Sequence, residues 1–391
     1  MIENGLDRLL EHEGALRGRR YGLLSHCAAV SAALEPATQA LASRHAEPPS
    51  VLFAPEHGFF AAEQDMIGSE DSRDPVSGIP TVSLYGSDEM SLRPSAEAFD
   101  GLDLLVVDLV DIGSRYYTYA ATAVWSAEVA IGIGIEVWIL DRPNPLGGLV
   151  IEGNFVEPGF HSLVGAFSVP VRHGLTLGEL VLLQAGREGW DRDGLEVRTV
   201  EGWHREVPTE DRGWFWRAPS PNMPTRKTAW LYPGACLVEG TVVSEGRGTT
   251  RPFELIGAPG FDGRVLAATM NAKSLPGVRY LPVQFRPQFQ KHAAELCSGV
   301  EVVVTDRTVF EPYRSGVELI AAMFDSGWED FAWRRETYEF VRDRLAIDLL
   351  AGTNRFREAL EGGEVADWIR SWSADEESFL EERESVLLYR P

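Results

Sequence analysis

Five short, almost wholly apolar runs recur through the N-terminal part of the chain, at 20–25 (RYGLLS), 51–54 (VLFA), 81–85 (TVSLY), 104–109 (LLVVDL) and 137–140 (VWIL). Segments with helical periodicity lie between them, notably 32–42 and 116–132. A strand that shows no in–out alternation is buried on both faces, and strands of that kind separated by helices form parallel sheets covered on each side. The pattern predicts an α/β fold with a Rossmann-like parallel sheet. The 391 residues leave room for a second unit. Strands expected at 279–285 and 300–304, with helices at 313–325 and 333–345, predict a smaller C-terminal α+β domain. The division expected is 1–260 for the Rossmann-like catalytic domain and 261–391 for the smaller one. The acidic last thirty residues read as a solvated helical cover.

A Rossmann-like sheet does not imply a nucleotide, and the nucleotide motifs are missing. Gly132 and Gly134 precede a strand instead of following one, the wrong side for a phosphate-binding turn. EGRGTT lacks the lysine and the spacing of a P-loop. No cofactor is expected. The formal charge of −23 argues against nucleic acid, which needs a basic face. No apolar run approaches the roughly 18 residues of a membrane span. The opening MIENGLDRLLEHEG has neither a basic n-region nor an apolar h-region. The sequence as written therefore predicts a cytoplasmic protein, or an exported one whose leader has been removed. His161, His173, His204 and His292 show no metal-binding spacing, so no metal is expected, and GxSxG is absent.

Ligands of open α/β sheets bind outside the carboxyl ends of the strands. The polar residues after the apolar runs are Ser25-His26, Glu56-His57, Asp108 with Asp111, and Asp141, Arg142 and Asn144. They are expected to converge on one edge. Glu56 is the foremost catalytic candidate, because a strand, a proline and then His57-Gly58 place it on a tight turn, where a fixed carboxyl suits general acid catalysis. His57 would orient it or touch the substrate. Segment 111–119 (DIGSRYYTY) offers Asp111, Arg115 and Tyr116 beside a glycine turn. Segment 239–259 combines Gly246 and Gly248, which permit close backbone approach, with Arg247 and Arg251, whose planar forks suit a carboxylate. That is the composition of a binding loop for a polar, anionic small molecule. Glu245 and Glu254 compete as a second carboxylate; Glu245 is preferred because it follows an expected strand at 241–243. Asn222 is the polar position of the proline-rich WFWRAPSPNMPT, whose Trp214 and Trp216 suit either sugar stacking or packing.

Taken in order, APEHGFF, SLYG, VVDLVDIGSRYYTY, LDRPNPLGG, VPVRHGLTLGEL, PSPNMPT, YPGACLVEGTVVSEGRGTTRPFELIGAP and FQKHAAELCSGV span most of the chain. They resemble the exo-β-N-acetylmuramidases of peptidoglycan recycling. The resemblance implies release of N-acetylmuramic acid from the non-reducing end of peptidoglycan-derived glycans, with Glu56 as the acid. It implies that the polar residues of DIGSRYYTY and SEGRGTTRPFE, Thr249 among them, line the pocket. The lactyl carboxylate of that sugar is the anion that Arg115, Arg247 or Arg251 would clamp. Ser25-His26-Cys27 departs from the Thr-Asn common in the family. Two other activities fit the same pocket: a lyase or etherase acting on the lactyl ether, and a non-catalytic muropeptide sensor. An N-acetyl-assisted route, with Glu245 or Asp111 orienting the substrate amide, also stays open.

Overall fold

The computed structural model describes residues 2–12, 14–45, 47–64, 66–86, 88–206 and 214–390. The larger sheet has seven strands: β1 Tyr21–Ser25, β2 Val51–Ala54, β3 Ser72–Arg73, β4 Pro80–Ser83, β5 Leu104–Asp108, β6 Glu136–Leu140 and β7 Leu195–Arg198. Their order is β3-β4-β2-β1-β5-β6-β7, and every pair runs parallel except β3 with β4. The strand order reverses at β1, so the crevice of the sheet opens beside the carboxyl ends of β1 and β5.

The apolar runs are buried on both sides. Leu24, Phe53, Leu105, Val107, Val137 and Ile139 join the core that includes helices α3 (Tyr119–Gly132) and α4 (Leu177–Glu188). Leu23, Leu52, Leu104, Val106 and Leu140 share the opposite core with α1 (Gly5–Leu10) and α2 (Ala37–His45). Helix α2 starts after Pro36, later than the periodicity suggests. Helix α3 starts at Tyr119 because Ser114 and Arg115 are held extended against the 171–172 backbone, with Arg115 N–H donating to Val171 O at 2.9 Å.

The second sheet is antiparallel, in the order β8 (Leu255–Ala258), β10 (Cys297–Val304), β9 (Val278–Phe285). Helix α6 (Gly263–Ala272) packs on it, and α7 (Pro312–Asp325) packs against α6 and against α5 (Arg226–Ala235), which leads in from the first domain. The boundary expected at 260/261 falls just after β8.

Three expectations need correction. Residues 333–345 form no helix: Trp333 bridges Thr241, Tyr338 bridges Val341, and Glu339 and Phe340 are left-handed at φ 46° and 68°, which a helix cannot accommodate. Residues 241–243 form no strand: the stretch is held by single bridges at Thr241, to Trp333, and at Ser244, to Gly257. The acidic end is more than a solvated cover. Helix α8 (Val365–Arg383) buries Trp368, Trp372 and Phe379. Its Asp375 and Glu376 accept the Phe155 and Gly153 N–H groups at 2.9 and 2.8 Å. Beyond it, Tyr389 donates its hydroxyl to Asp141, at the end of β6, at 2.5 Å.

Candidate active site

Glu56 leaves the sheet where β2 ends. Pro55 has no N–H to offer a neighbouring strand. His57 and Gly58 both turn left-handed, at φ 70° and 72°, so the chain folds sharply there. Glu56 is 5% exposed, and its Oε2 accepts the Thr118 hydroxyl at 2.7 Å. Thr118 immediately precedes α3, so the turn after β2 and the start of α3 meet at this carboxylate. His57 Nδ1 lies 2.9 Å from Glu63 O and donates to it, because a carbonyl can only accept.

Glu56 borders a narrow, closely lined cavity with about 30 Å³ of free volume. The sheet domain contributes Glu56, His57, Tyr116, Tyr117 and Thr118; the proline-rich segment adds Ser220, Asn222 and Met223. The other wall is Tyr232, Glu239, Arg247, Phe253, Tyr338 and Glu339. The rings form a connected aromatic wall, with Tyr232 edge-on to Tyr117 at 6.0 Å and to Phe253 at 4.9 Å. Tyr116 is 1% exposed and its hydroxyl has no partner among the described residues. A buried hydroxyl in that state is suited to a ligand that enters the cavity.

The charges are distributed unevenly. Glu239 accepts Arg247 Nη2 at 2.7 Å and the Tyr338 hydroxyl at 2.8 Å. Burial alone would raise its pKa, but the Arg247 guanidinium and these hydrogen bonds outweigh it and hold the carboxyl below its ordinary range. Glu245 stands one layer behind, accepting Lys291 Nζ at 2.9 Å with Arg247 Nε at 3.4 Å. Glu339 accepts the Tyr85 hydroxyl at 2.9 Å. Gly246, at φ 82°, lets this loop turn where a Cβ would meet Leu255 O at 2.6 Å.

Of the residues singled out in the sequence, the fold brings Glu56, His57, Tyr116, Asn222 and Arg247 to the cavity. Asn222 is tied to Gln64 Oε1 at 2.8 Å. The others lie elsewhere. Arg115 is buried and donates to four backbone carbonyls: Asn154 and Val169 at 2.6 and 2.9 Å, Leu350 and Ala351 at 3.0 and 3.1 Å. It joins segments of the two domains, and both of its terminal nitrogens are occupied. Asp111 accepts the Gly113 N–H at 2.7 Å. Asn144 donates to Leu175 O at 2.8 Å and abuts Gly113, where a Cβ would collide with its amide. Thr249 donates to Gly246 O at 2.6 Å. Arg251 is largely exposed and pairs with Glu301 at 2.8 Å, and Glu254 accepts Lys227 at 2.7 Å. Trp214 and Trp216 meet each other edge-on at 5.8 Å, outside the cavity lining.

The strand-end residues also divide. Asp108 forms a buried pair with Arg142, Nη2 at 3.0 Å, and Asp141 accepts the Thr176 hydroxyl and the Gly178 N–H at 2.6 and 2.9 Å. Both serve the scaffold. Sequence reasoning missed Glu239, Tyr338 and Glu339. The one signal for Glu239 was an acid inside an apolar run, CLVEGTVV.

Comparison with known proteins matches this architecture along the whole chain. Residues 21–227 match the family described as exo-beta-N-acetylmuramidase NamZ, N-terminal, and residues 230–389 match its C-terminal counterpart. The peptidoglycan beta-N-acetylmuramidase NamZ of Bacillus subtilis (strain 168) is 38% identical over 392 residues, covering 99% of this chain and 91% of that protein. Two crystal structures of DUF1343-family proteins from Bacteroides fragilis NCTC 9343 each cover 100% of this chain and are themselves covered to 99%. They superpose with TM-scores of 0.86 and 0.74, at 29% and 25% identity. The two matched halves follow one another in order and together take in both walls of the cavity around Glu56, and the chain belongs to the exo-β-N-acetylmuramidase family.

Proposed function

We propose that this chain releases N-acetylmuramic acid from the non-reducing end of peptidoglycan-derived glycans, with Glu56 protonating the departing glycosidic oxygen as the C1–O bond breaks. Family membership supplies the reaction class, glycoside hydrolysis. The observation that carries the role of Glu56 is its setting: a buried carboxyl at a strand terminus, facing a cavity, with a neutral hydroxyl as its hydrogen-bond partner. A group that must hold and give a proton is better served by such a partner than by a guanidinium. Glu239 and Glu245 have cationic partners instead, so in this reading they hold Arg247 in place. Glu339 also lines the cavity, whereas Glu245 does not.

The test is mass-spectrometric analysis of products from the disaccharide MurNAc-β-1,4-GlcNAc. Free MurNAc and GlcNAc are expected, with turnover by Glu56→Gln reduced about 10²- to 10⁴-fold while binding persists. Turnover by that variant within a few-fold of the parent would sink the assignment. Release of lactate would move the chain to the lyase class, and a bound but uncleaved disaccharide would make it a sensor.

A further inference from the structure

An anionic sugar needs a cation, and none of the three arginines expected for it is available as a clamp. Arg115 is spent on four carbonyls. Arg251 pairs with Glu301 at the surface. Arg247 faces the cavity but already lies against Glu239 and Glu245. The described cavity lining holds three carboxylates, Glu56, Glu239 and Glu339, against the one guanidinium of Arg247. A substrate carboxylate entering there meets a net negative wall unless another cation stands close by.

Arg334 is such a cation. Its N–H donates to Gly240 O at 2.9 Å, one residue beyond the cavity residue Glu239. Its guanidinium stacks 5.0 Å from the centre of the Tyr338 ring, whose hydroxyl donates to Glu239. On its other side, Nη2 lies 3.8 Å from the sulfur of Met66, in the loop that follows Glu56 and His57. Arg334 is not itself a lining residue; it stands behind the lining residue Tyr338, between it and the loop that follows Glu56. Its side chain is 16% exposed, yet among the described residues its carboxylate contact is Glu336 at 3.9 Å, whose own side chain is 78% exposed. A guanidinium withdrawn from water without a close anion has bidentate capacity to spare, and a ligand carboxylate would fill it. Arg217 lies near Cys27 but is exposed, so solvent screens it.

We propose that Arg334 recognises the carboxylate of the substrate's 3-O-lactyl group, and so selects a muramic over a glucosamine sugar at the terminal position. The inference rests on the muramidase reading above. It is tested with the 4-nitrophenyl β-glycosides of N-acetylmuramic acid, its lactyl methyl ester and N-acetylglucosamine, which differ in charge and size at that one group. The parent enzyme should favour the free acid over the ester on the order of 10- to 100-fold in kcat/KM, the range of a charge-assisted hydrogen bond. Arg334→Gln should lose that preference while keeping activity on the ester within about threefold, which also shows that it folds. Arg334→Lys should fall between, and Arg217→Gln should match the parent. Equal losses on acid and ester, or a parent indifferent to the ester, would overturn the role of Arg334. A parent that cleaves none of the three would overturn the muramidase reading itself.

Discussion

Replacing Asp111 with Asn should make the protein more stable, and only above mildly acidic pH. Asp111 is 8% exposed; its Oδ2 accepts the Gly113 N–H at 2.7 Å, while Oδ1 has no partner among the described residues. Burial dominates, and although the Gly113 and Ile112 N–H groups pull the other way, the pKa rises from 3.8 to about 7. The folded chain thus holds this proton over a range where the unfolded chain has released it. The stability that follows is fully present below pH 3.8 and is lost as pH rises through 7. The gap of about three units, at about 1.4 kcal/mol each, makes the loss by pH 8 up to about 4 kcal/mol. Asn can accept the Gly113 N–H and carries no charge at any pH. Thermal midpoints of the parent and Asp111→Asn should coincide near pH 4 and separate steadily towards pH 8, with the variant higher. Parallel curves across that range would refute the reasoning, because they would mean that Asp111 ionises alike in both states.

Arg115→Met should leave buried carbonyls of residues 154, 169, 350 and 351 without this donor and cost about 3 kcal/mol or more, read as a lowered urea midpoint. Lys should rescue little, since it lacks the planar fork that reaches all four. Tyr389→Phe removes a donor from Asp141 and an acceptor from the Val200 N–H at 3.0 Å. It should cost about 1–3 kcal/mol in the same assay and leave kcat unchanged, since Tyr389 does not line the cavity.

The strands were legible because burial on both faces leaves a continuous apolar run. The runs at 51–54, 104–109 and 137–140 match β2, β5 and β6 to within a residue. The turn that carries Glu56 was legible for a related reason, since a strand end followed by Pro and His-Gly announces it. Tyr338 and Glu339 were not. They lie about a hundred residues after Glu239 and reach it because 332–334 pairs with 240–242, a non-local register that periodicity does not carry. Arg115 shows a different limit. A guanidinium that clamps a ligand and one that clamps four carbonyls look alike in sequence, and only the fold separates them.

Asp141 lies at the end of β6, yet one of its donors, the Tyr389 hydroxyl, is 248 residues further along the chain. At the usual pace of about 5–20 residues per second, a ribosome takes roughly 12–50 s to cover that interval. Throughout it, Asp141 lacks a donor that it has in the finished protein, and the Val200 N–H lacks its acceptor from the moment it is made. The sheet is the first part synthesised and among the last to be completed. A chain cut after the first matched half, at residue 227, would be arrested in that unfinished state.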